Sequence, residues 1–177
     1  MDHADHVALI SKGIGSTGGV WADLGSGWGA FTLALADVIG SGGEIFSIDR
    51  DASAILQQEQ SLASRFPMVH VHYIVADFMR PLQLPPLDGI VMANALHFVP
   101  REKQEGVVRL LMGYLKPEGR LILVEYDADQ GNIWVPNPLS YPTWKILAQR
   151  AGFGHTVKLN SHPSHFLRAI YSALSLR

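Results

Sequence analysis

Cysteine is absent from this chain of 177 residues. Without thiols the protein has no disulfides, no thiolate metal ligands and no cysteine nucleophile, which fits a reducing compartment. Charged residues are also sparse, at 17%, and the formal net charge of −2 provides no broad attraction to nucleic acid or to an anionic membrane. We therefore expect the partner to be a small molecule.

Long apolar runs are missing as well. No stretch approaches the ~20 apolar residues that are needed to span a bilayer. Asp2 and Asp5 stand where a secretory signal would be basic. We expect a soluble, cytoplasmic protein that does not bind membranes. The length fits a single domain over residues 1–177, with a short helical segment over residues 1–19. The sequence leaves the oligomeric state open, and a homo-oligomer is compatible with it.

Strand and helix patterns alternate from residue 20 to about residue 127, which is typical of βαβ units. This alternation predicts an α/β fold with a doubly wound, Rossmann-like parallel sheet. The predicted strands cover residues 20–24, 44–49, 69–76, 88–93 and 120–125. The predicted helices cover residues 28–39, 101–115 and 141–151, and a fourth helix, capped by Asp51 or Ser53, runs to about residue 66. Two later strand patterns, at residues 156–159 and 166–174, suggest an antiparallel hairpin. The prolines within residues 80–86 predict an extended connection instead of a crossover helix.

The most informative segment follows the first predicted strand, where Asp23 precedes glycines at positions 25, 27 and 29. Glycines let the backbone turn sharply and approach a ligand closely, and the N–H groups of the next helix face the same crevice. This glycine loop, residues 25–29, predicts a nucleotide cofactor. Its spacing also satisfies the dinucleotide fingerprint, and in either case Asp49 would bind ribose hydroxyls. Asp23 favours a cofactor that carries an ammonium and a sulfonium, because its carboxylate would repel a pyrophosphate.

Five segments, in order, resemble the class I S-adenosylmethionine-dependent methyltransferases of the small, single-domain kind. These segments are residues 23–29, 47–50, 75–78, 88–97 and 115–121. The resemblance implies a seven-stranded sheet of order 3-2-1-4-5-7-6 with the last strand antiparallel, and S-adenosylmethionine as the cofactor. It implies that Asp49 binds both ribose hydroxyls, that Asp77 meets the adenine amino group and that Phe78 packs on the ring. The cofactor-binding set it implies is Asp23, Gly25, Ser26, Gly27, Asp49, Arg50, Ala76, Asp77, Phe78, Asn94 and Ala95.

His97, shortly after the fourth predicted strand, is the candidate catalytic residue. An imidazole with an ordinary pKa of ~6.5 can take a proton from an acceptor during transfer, although a hydrogen-bonded loop histidine is an equal alternative. Asn94 has two interpretations, a cofactor contact or a turn residue. Asp88 starts the same strand at the opposite edge of the sheet, so we expect it to be structural. His3 and His6 are expected at a solvated helix start, and no metal is expected.

The sequence therefore predicts methyl transfer from S-adenosylmethionine to a small-molecule acceptor that it does not identify. One alternative is an NAD(P)-dependent oxidoreductase, which would use the same fingerprint. Another is a non-catalytic subunit that binds S-adenosylmethionine, since few residues precede the first strand to form a lid. Nucleic-acid methylation is disfavoured, because residues 94–97 lack the Asn/Asp-Pro-Pro-aromatic motif of amino-directed DNA enzymes and no basic stripe is present.

Overall fold

A seven-stranded sheet forms the centre of the protein, with helices on both faces. The computed structural model describes the backbone of all 177 residues and every side chain except those of Ala63 and Ser64. The strands are β1 (Gly19–Leu24), β2 (Gly43–Asp49), β3 (His70–Val75), β4 (Leu87–Ala93), β5 (Leu115–Tyr126), β6 (His155–Pro163) and β7 (Ala169–Leu176). The α-helices are α1 (His3–Ile10), α2 (Ala30–Ile39), α3 (Ala52–Arg65), α4 (Arg101–Tyr114) and α5 (Tyr141–Ala151). Within the part of the chain so described, no helix is long and apolar enough to cross a bilayer.

The strand order is 3-2-1-4-5-7-6, which confirms the order that the sequence predicts. β1 pairs in parallel with β2 on one side and with β4 on the other, and β3 and β5 extend the parallel sheet. β7 is antiparallel to both β5 and β6. In such a sheet the chain reverses its direction of travel between β1 and β4, and ligands bind at the carboxyl ends of the strands beside that point.

Strand alternation divides the core into two layers. Ala22, Ile90 and Leu121 are aligned across β1, β4 and β5, and they pack with buried residues of α4 and α5. The next row along the same strands, which includes Val91 and Ile122, faces the opposite layer, where α1 and α2 contribute the buried residues. Asp23 pairs in register with Val91, so its side chain points toward the layer of α2.

The connection between β3 and β4 agrees with the sequence prediction, whereas the hairpin of β6 and β7 differs from it. Residues 76–86 contain no helix, which confirms the extended connection, and the Leu82 N–H donates a hydrogen bond of 2.8 Å to the Tyr114 hydroxyl. The terminal hairpin differs in length, because β6 continues to Pro163 and β7 begins only at Ala169. Phe166, predicted in a strand, lies in the intervening turn, where Arg168 adopts a φ of 49°.

Candidate cofactor and acceptor site

The glycine loop turns sharply between β1 and α2, with φ values of 72°, 52° and 84° at Gly25, Gly27 and Gly29. A Cβ on Gly25 would lie 2.5 Å from the Ala95 Cβ, so only glycine allows the loop to pack this closely against the residues after β4. A Cβ on Gly27, by contrast, would meet no atom within 4 Å. Gly27 lines a cavity, and a side chain there would occupy space that is open to a ligand.

This cavity has a volume of about 660 Å³ and lies at the carboxyl ends of the parallel strands. The segments that follow β1, β2, β3 and β4 all contribute to its wall. Ten of the eleven predicted cofactor residues line it, namely Gly25, Ser26, Gly27, Asp49, Arg50, Ala76, Asp77, Phe78, Asn94 and Ala95. The fold thus brings together residues that are up to 70 positions apart in the chain (25 to 95).

Two carboxylates shape the cavity wall through hydrogen bonds to backbone N–H groups. Asp49 accepts one from Gly27 at 2.8 Å on Oδ2 and one from Asp51 at 2.9 Å on Oδ1. Asp77 accepts one from Met79 at 2.9 Å on Oδ1. A carboxylate oxygen has two lone pairs, so each Asp49 oxygen can still accept a hydrogen bond from a ligand hydroxyl.

Asn94 combines an unusual backbone conformation with an unsatisfied polar atom. Its φ is 51°, and its N–H donates a 2.8 Å hydrogen bond to the Val124 carbonyl, which fixes the turn after β4. Its side-chain Oδ1 is buried and has no hydrogen-bond partner among the described residues. Leaving a buried acceptor unpaired costs about 1–3 kcal/mol. Other atoms of Asn94 line the cavity.

Asp23 is the predicted cofactor residue that does not line the cavity. Strand alternation turns it toward α2, where it is only 1% exposed and accepts a 2.7 Å hydrogen bond from the Thr32 hydroxyl. Burial raises the pKa of Asp23 to about 7, against the opposing effect of the Thr32 hydrogen bond. This position differs from the expectation that the carboxylate faces a cationic cofactor, because the side chain lies behind the glycine loop.

His97 forms a buried pair with Glu125, the penultimate residue of β5. The His97 Nδ1 is 2.8 Å from Glu125 Oε1, and the His97 N–H donates to Glu125 Oε2 at 3.1 Å. The His97 side chain is 3% exposed and does not line the cavity, but its ring packs against the ring of Phe98, which does. This geometry fits the interpretation as a hydrogen-bonded loop histidine. The role of His97 as a base stays a prediction.

The structure also reveals cavity residues that sequence reasoning missed. His6, expected in a solvated helix start, is partly buried in the cavity wall, with its ring 4.8 Å from the ring of Phe31. Burial lowers the pKa of His6, which favours its neutral form. A signal was present, because His6, Leu9 and Ile10 share one helical face by their i, i+3, i+4 spacing. Trp28 lines the cavity too.

Asp88 occupies the structural position that the sequence predicts, at the amino end of β4. Its Oδ2 accepts a 2.7 Å hydrogen bond from the Val20 N–H, and its Oδ1 lies 2.8 Å from the Lys116 ammonium. These contacts join β1, β4 and β5 at the edge of the sheet opposite the cavity. Asp88 therefore stabilises the sheet and is remote from the candidate site.

Comparison with known proteins identifies the family. A family model described as a methyltransferase domain matches residues 22–119, which is more than half of the chain. The chain is a class I S-adenosylmethionine-dependent methyltransferase domain. This membership decides between the two cofactors that the glycine fingerprint left open, in favour of S-adenosylmethionine.

Individual relatives of this methyltransferase domain are distant. It is 30% identical over 106 residues to the ubiquinone/menaquinone biosynthesis C-methyltransferase of Azotobacter vinelandii, a match that covers 59% of this chain and 41% of that protein. It is 27% identical to the 2-phytyl-1,4-naphtoquinone methyltransferase of Trichormus variabilis, over 59% of this chain and 45% of that one. The chain thus matches less than half the length of these curated relatives. The YcgJ protein of Bacillus subtilis shares the fold, with a TM-score of 0.77, 13% identity and 99% coverage of both chains.

The residues of the methyltransferase cavity fit S-adenosylmethionine. The space above Gly27 is open, and the Asp49 carboxylate has acceptor capacity to spare. These two features match a cofactor that packs against the glycine loop and presents two ribose hydroxyls.

Proposed function

We propose that this protein transfers a methyl group from S-adenosylmethionine to a small-molecule acceptor with a planar ring. The observation that carries the proposal is the convergence of the segments after four parallel strands on one cavity that contains ten of the predicted cofactor residues. Membership of the methyltransferase family supports it. In this proposal Asp49 binds the ribose hydroxyls, Asp77 and Phe78 hold the adenine, and Asn94 contacts the cofactor.

The planar acceptor is inferred from the aromatic side chains at the cavity and from the relatives. Trp28 and Phe98 both line the cavity and are 61% and 56% exposed, which leaves two large apolar surfaces for a ring to stack on. The two curated relatives described above are named for quinone and naphthoquinone substrates. A ring stacked between such side chains would also keep water out of the cavity.

When bound, S-adenosylmethionine supplies the electrophilic methyl group. The protein's own contribution is to bind both reactants, align them and exclude water. An acceptor that must lose a proton needs a base, and two histidines are near enough to the cavity to be candidates. His6 lines the wall, and burial lowers its pKa, which favours the neutral form. His97 has its Nδ1 occupied by Glu125, which leaves Nε2 as its acceptor atom.

Calorimetry on the Asp49→Ala variant tests the cofactor assignment. The variant should bind S-adenosylhomocysteine about a hundredfold more weakly than the wild type, because two hydrogen bonds to a charged acceptor are lost. Glu59→Gln, an exposed carboxylate on α3, is the matched control and should retain wild-type affinity. Equal affinity for S-adenosylhomocysteine in Asp49→Ala, or binding of NAD⁺ in its place, would contradict the proposal.

An acceptor panel tests the transfer itself. The wild-type protein should methylate members of a set of quinols, naphthols and nitrogen heterocycles, measured by transfer of a labelled methyl group, and it should leave aliphatic alcohols and amines unmodified. Tight binding of S-adenosylhomocysteine with no transfer to any member would instead identify a non-catalytic binding subunit.

A further inference from the structure

Gln58, on α3, is a fully buried polar residue that lies directly beneath the glycine loop. Its Oε1 accepts a 2.7 Å hydrogen bond from the Ser47 hydroxyl and lies 3.1 Å from the Thr32 hydroxyl, whose single hydrogen is directed to Asp23. Its Nε2 donates to the Ser26 hydroxyl at 2.9 Å and to the Gly27 carbonyl. The amide thus uses its acceptor oxygen and both of its donor hydrogens.

These contacts link α3, β2 and α2 to the glycine loop. Ser47 lies on β2, Thr32 lies on α2, and Ser26 and Gly27 belong to the loop itself. The amide is directional, with its donors toward the loop and its acceptor toward the two hydroxyls. A carboxylate at this position would lack the donors, and an apolar side chain would leave the loop groups without partners.

The third glycine of the loop is explained by the same side chain. A Cβ on Gly29 would lie 2.6 Å from Gln58 Cγ and 2.9 Å from Gln58 Cδ. Gly29 therefore provides room for the glutamine to reach the loop from below. Gly27, in contrast, leaves open space on the cavity side. The loop is held from one side by Gln58 and is free on the other side for a ligand.

We propose that Gln58 is a positioning residue for cofactor binding, which fixes Ser26 and Gly27 in the conformation that receives the cofactor. The Gly27 N–H is bonded to Asp49 in this conformation, so the hold on Gly27 also sets the position of the carboxylate relative to the loop. The inference rests on the proposed function for the identity of its ligand. Gln58 does not line the cavity, so it acts through the loop and not by direct contact.

The substitution Gln58→Met tests this role, because methionine has a similar length and no strong hydrogen-bonding group. We expect the variant to bind S-adenosylhomocysteine about tenfold more weakly or worse, measured by calorimetry well below its unfolding temperature. Hydrogen exchange at the amides of Gly25, Gly27 and Gly29 should become about tenfold faster relative to the amides of β4. Gln57→Met, the exposed neighbour on α3, is the control and should change neither measurement.

Hydrogen exchange keeps the inference separate from the proposed function, because it requires no ligand. If the wild-type protein fails to bind S-adenosylhomocysteine, the proposed function is wrong, and the exchange rates alone decide whether Gln58 holds the loop. Loop exchange that stays unchanged relative to β4 would overturn the inference, as would a binding constant within twofold of wild type. If Gln58→Met does not fold, the isosteric Gln58→Glu replaces it with the same expected results.

A double-mutant cycle with Gly29 gives an independent measure. Gly29→Ala should weaken binding strongly in the wild-type background, where its methyl group collides with Gln58. In the Gln58→Ala background that collision is absent, so the same substitution should cost at least threefold less affinity. Additive effects of the two substitutions would contradict the proposed arrangement.

Discussion

At the scale of single residues, Gly25 and Gly27 have the same backbone handedness but different surroundings. An alanine at either position has a left-handed φ, which costs about 1–2 kcal/mol. At Gly25 the added methyl group would also collide with Ala95, whereas at Gly27 it would enter open space. We therefore expect Gly25→Ala to lower the free energy of unfolding by about 2–5 kcal/mol. We expect Gly27→Ala to lower it by only about 1–2 kcal/mol while reducing cofactor affinity more than tenfold.

Chemical denaturation and calorimetry on the same two variants check this contrast. Gly25→Ala should show the larger loss of stability in the denaturation experiment. Gly27→Ala should lose much of its affinity for S-adenosylhomocysteine although its loss of stability is small. If Gly27→Ala binds S-adenosylhomocysteine as the wild type does, the cavity side of the loop does not receive the cofactor.

Residues that follow the ends of strands could be predicted from the sequence, whereas buried polar residues could not. Asp49, Asp77 and Asn94 come directly after strand patterns, and parallel strands bring such positions to one edge of the sheet. Gln58 lies within an ordinary helical pattern, and its burial depends on the approach of the glycine loop, which no local pattern encodes. The sequence placed Asp23 at the end of the first strand. The side chain nevertheless points toward α2 and not toward the cofactor, because strand alternation sets its direction.

At the scale of elements, α1 matters because it brings His6 to the cavity wall. Leu9 and Ile10 anchor this helix, at 1% and 0% exposure, and the Asn160 side chain donates a 2.9 Å hydrogen bond to the Ala8 carbonyl. Leu9→Ala should lower the free energy of unfolding by about 2–5 kcal/mol, since it removes buried methyl groups and leaves a cavity. Ala4→Ser on the exposed face is the control and should stay within about 0.5 kcal/mol. A loss below 1 kcal/mol in Leu9→Ala, measured by urea denaturation, would show that α1 is not packed as described.

The bounds of β6 and β7 could not be predicted from side-chain patterns in the sequence. β6 alternates poorly between buried and exposed residues, and much of it is exposed. Its last residues are strand because their backbone pairs with β7 in register, from Ser161 opposite Tyr171 to Pro163 opposite Ala169. This pairing is a tertiary interaction, so a pattern of side chains along residues 160–163 could not have predicted it. The apolar runs of β1 and β4 predicted these central strands to within one residue at each end, whereas β5 begins at Leu115, five residues before its predicted start.

At the scale of the whole molecule, the strand order was implied by the family resemblance, and the position of the cavity follows because ligands bind at the carboxyl ends of parallel strands. The pH dependence of stability could not be predicted from the sequence, because it is set by the burial of ionisable side chains. The buried Asp23 has a pKa of about 7 in the folded protein, compared with 3.8 as its ordinary value. Between these two values the folded state binds the proton more tightly than the unfolded state does. The contribution of Asp23 to stability is therefore fully present below about pH 4 and is lost as the pH rises to about 7.

The substitution Asp23→Asn removes this titration while retaining an oxygen that can accept the Thr32 hydrogen bond. An amide and a carboxyl group differ in packing and hydrogen bonding, so the informative quantity is how the stability difference between variant and wild type changes with pH. That difference should move in favour of the variant as the pH rises from about 4 to about 7, by a few kcal/mol at most, and should be constant above about pH 8. Urea denaturation at a series of pH values measures it. A difference that does not change with pH would mean that folding leaves the pKa of Asp23 unshifted, and a difference that moves in favour of the wild type would mean that its pKa is lowered.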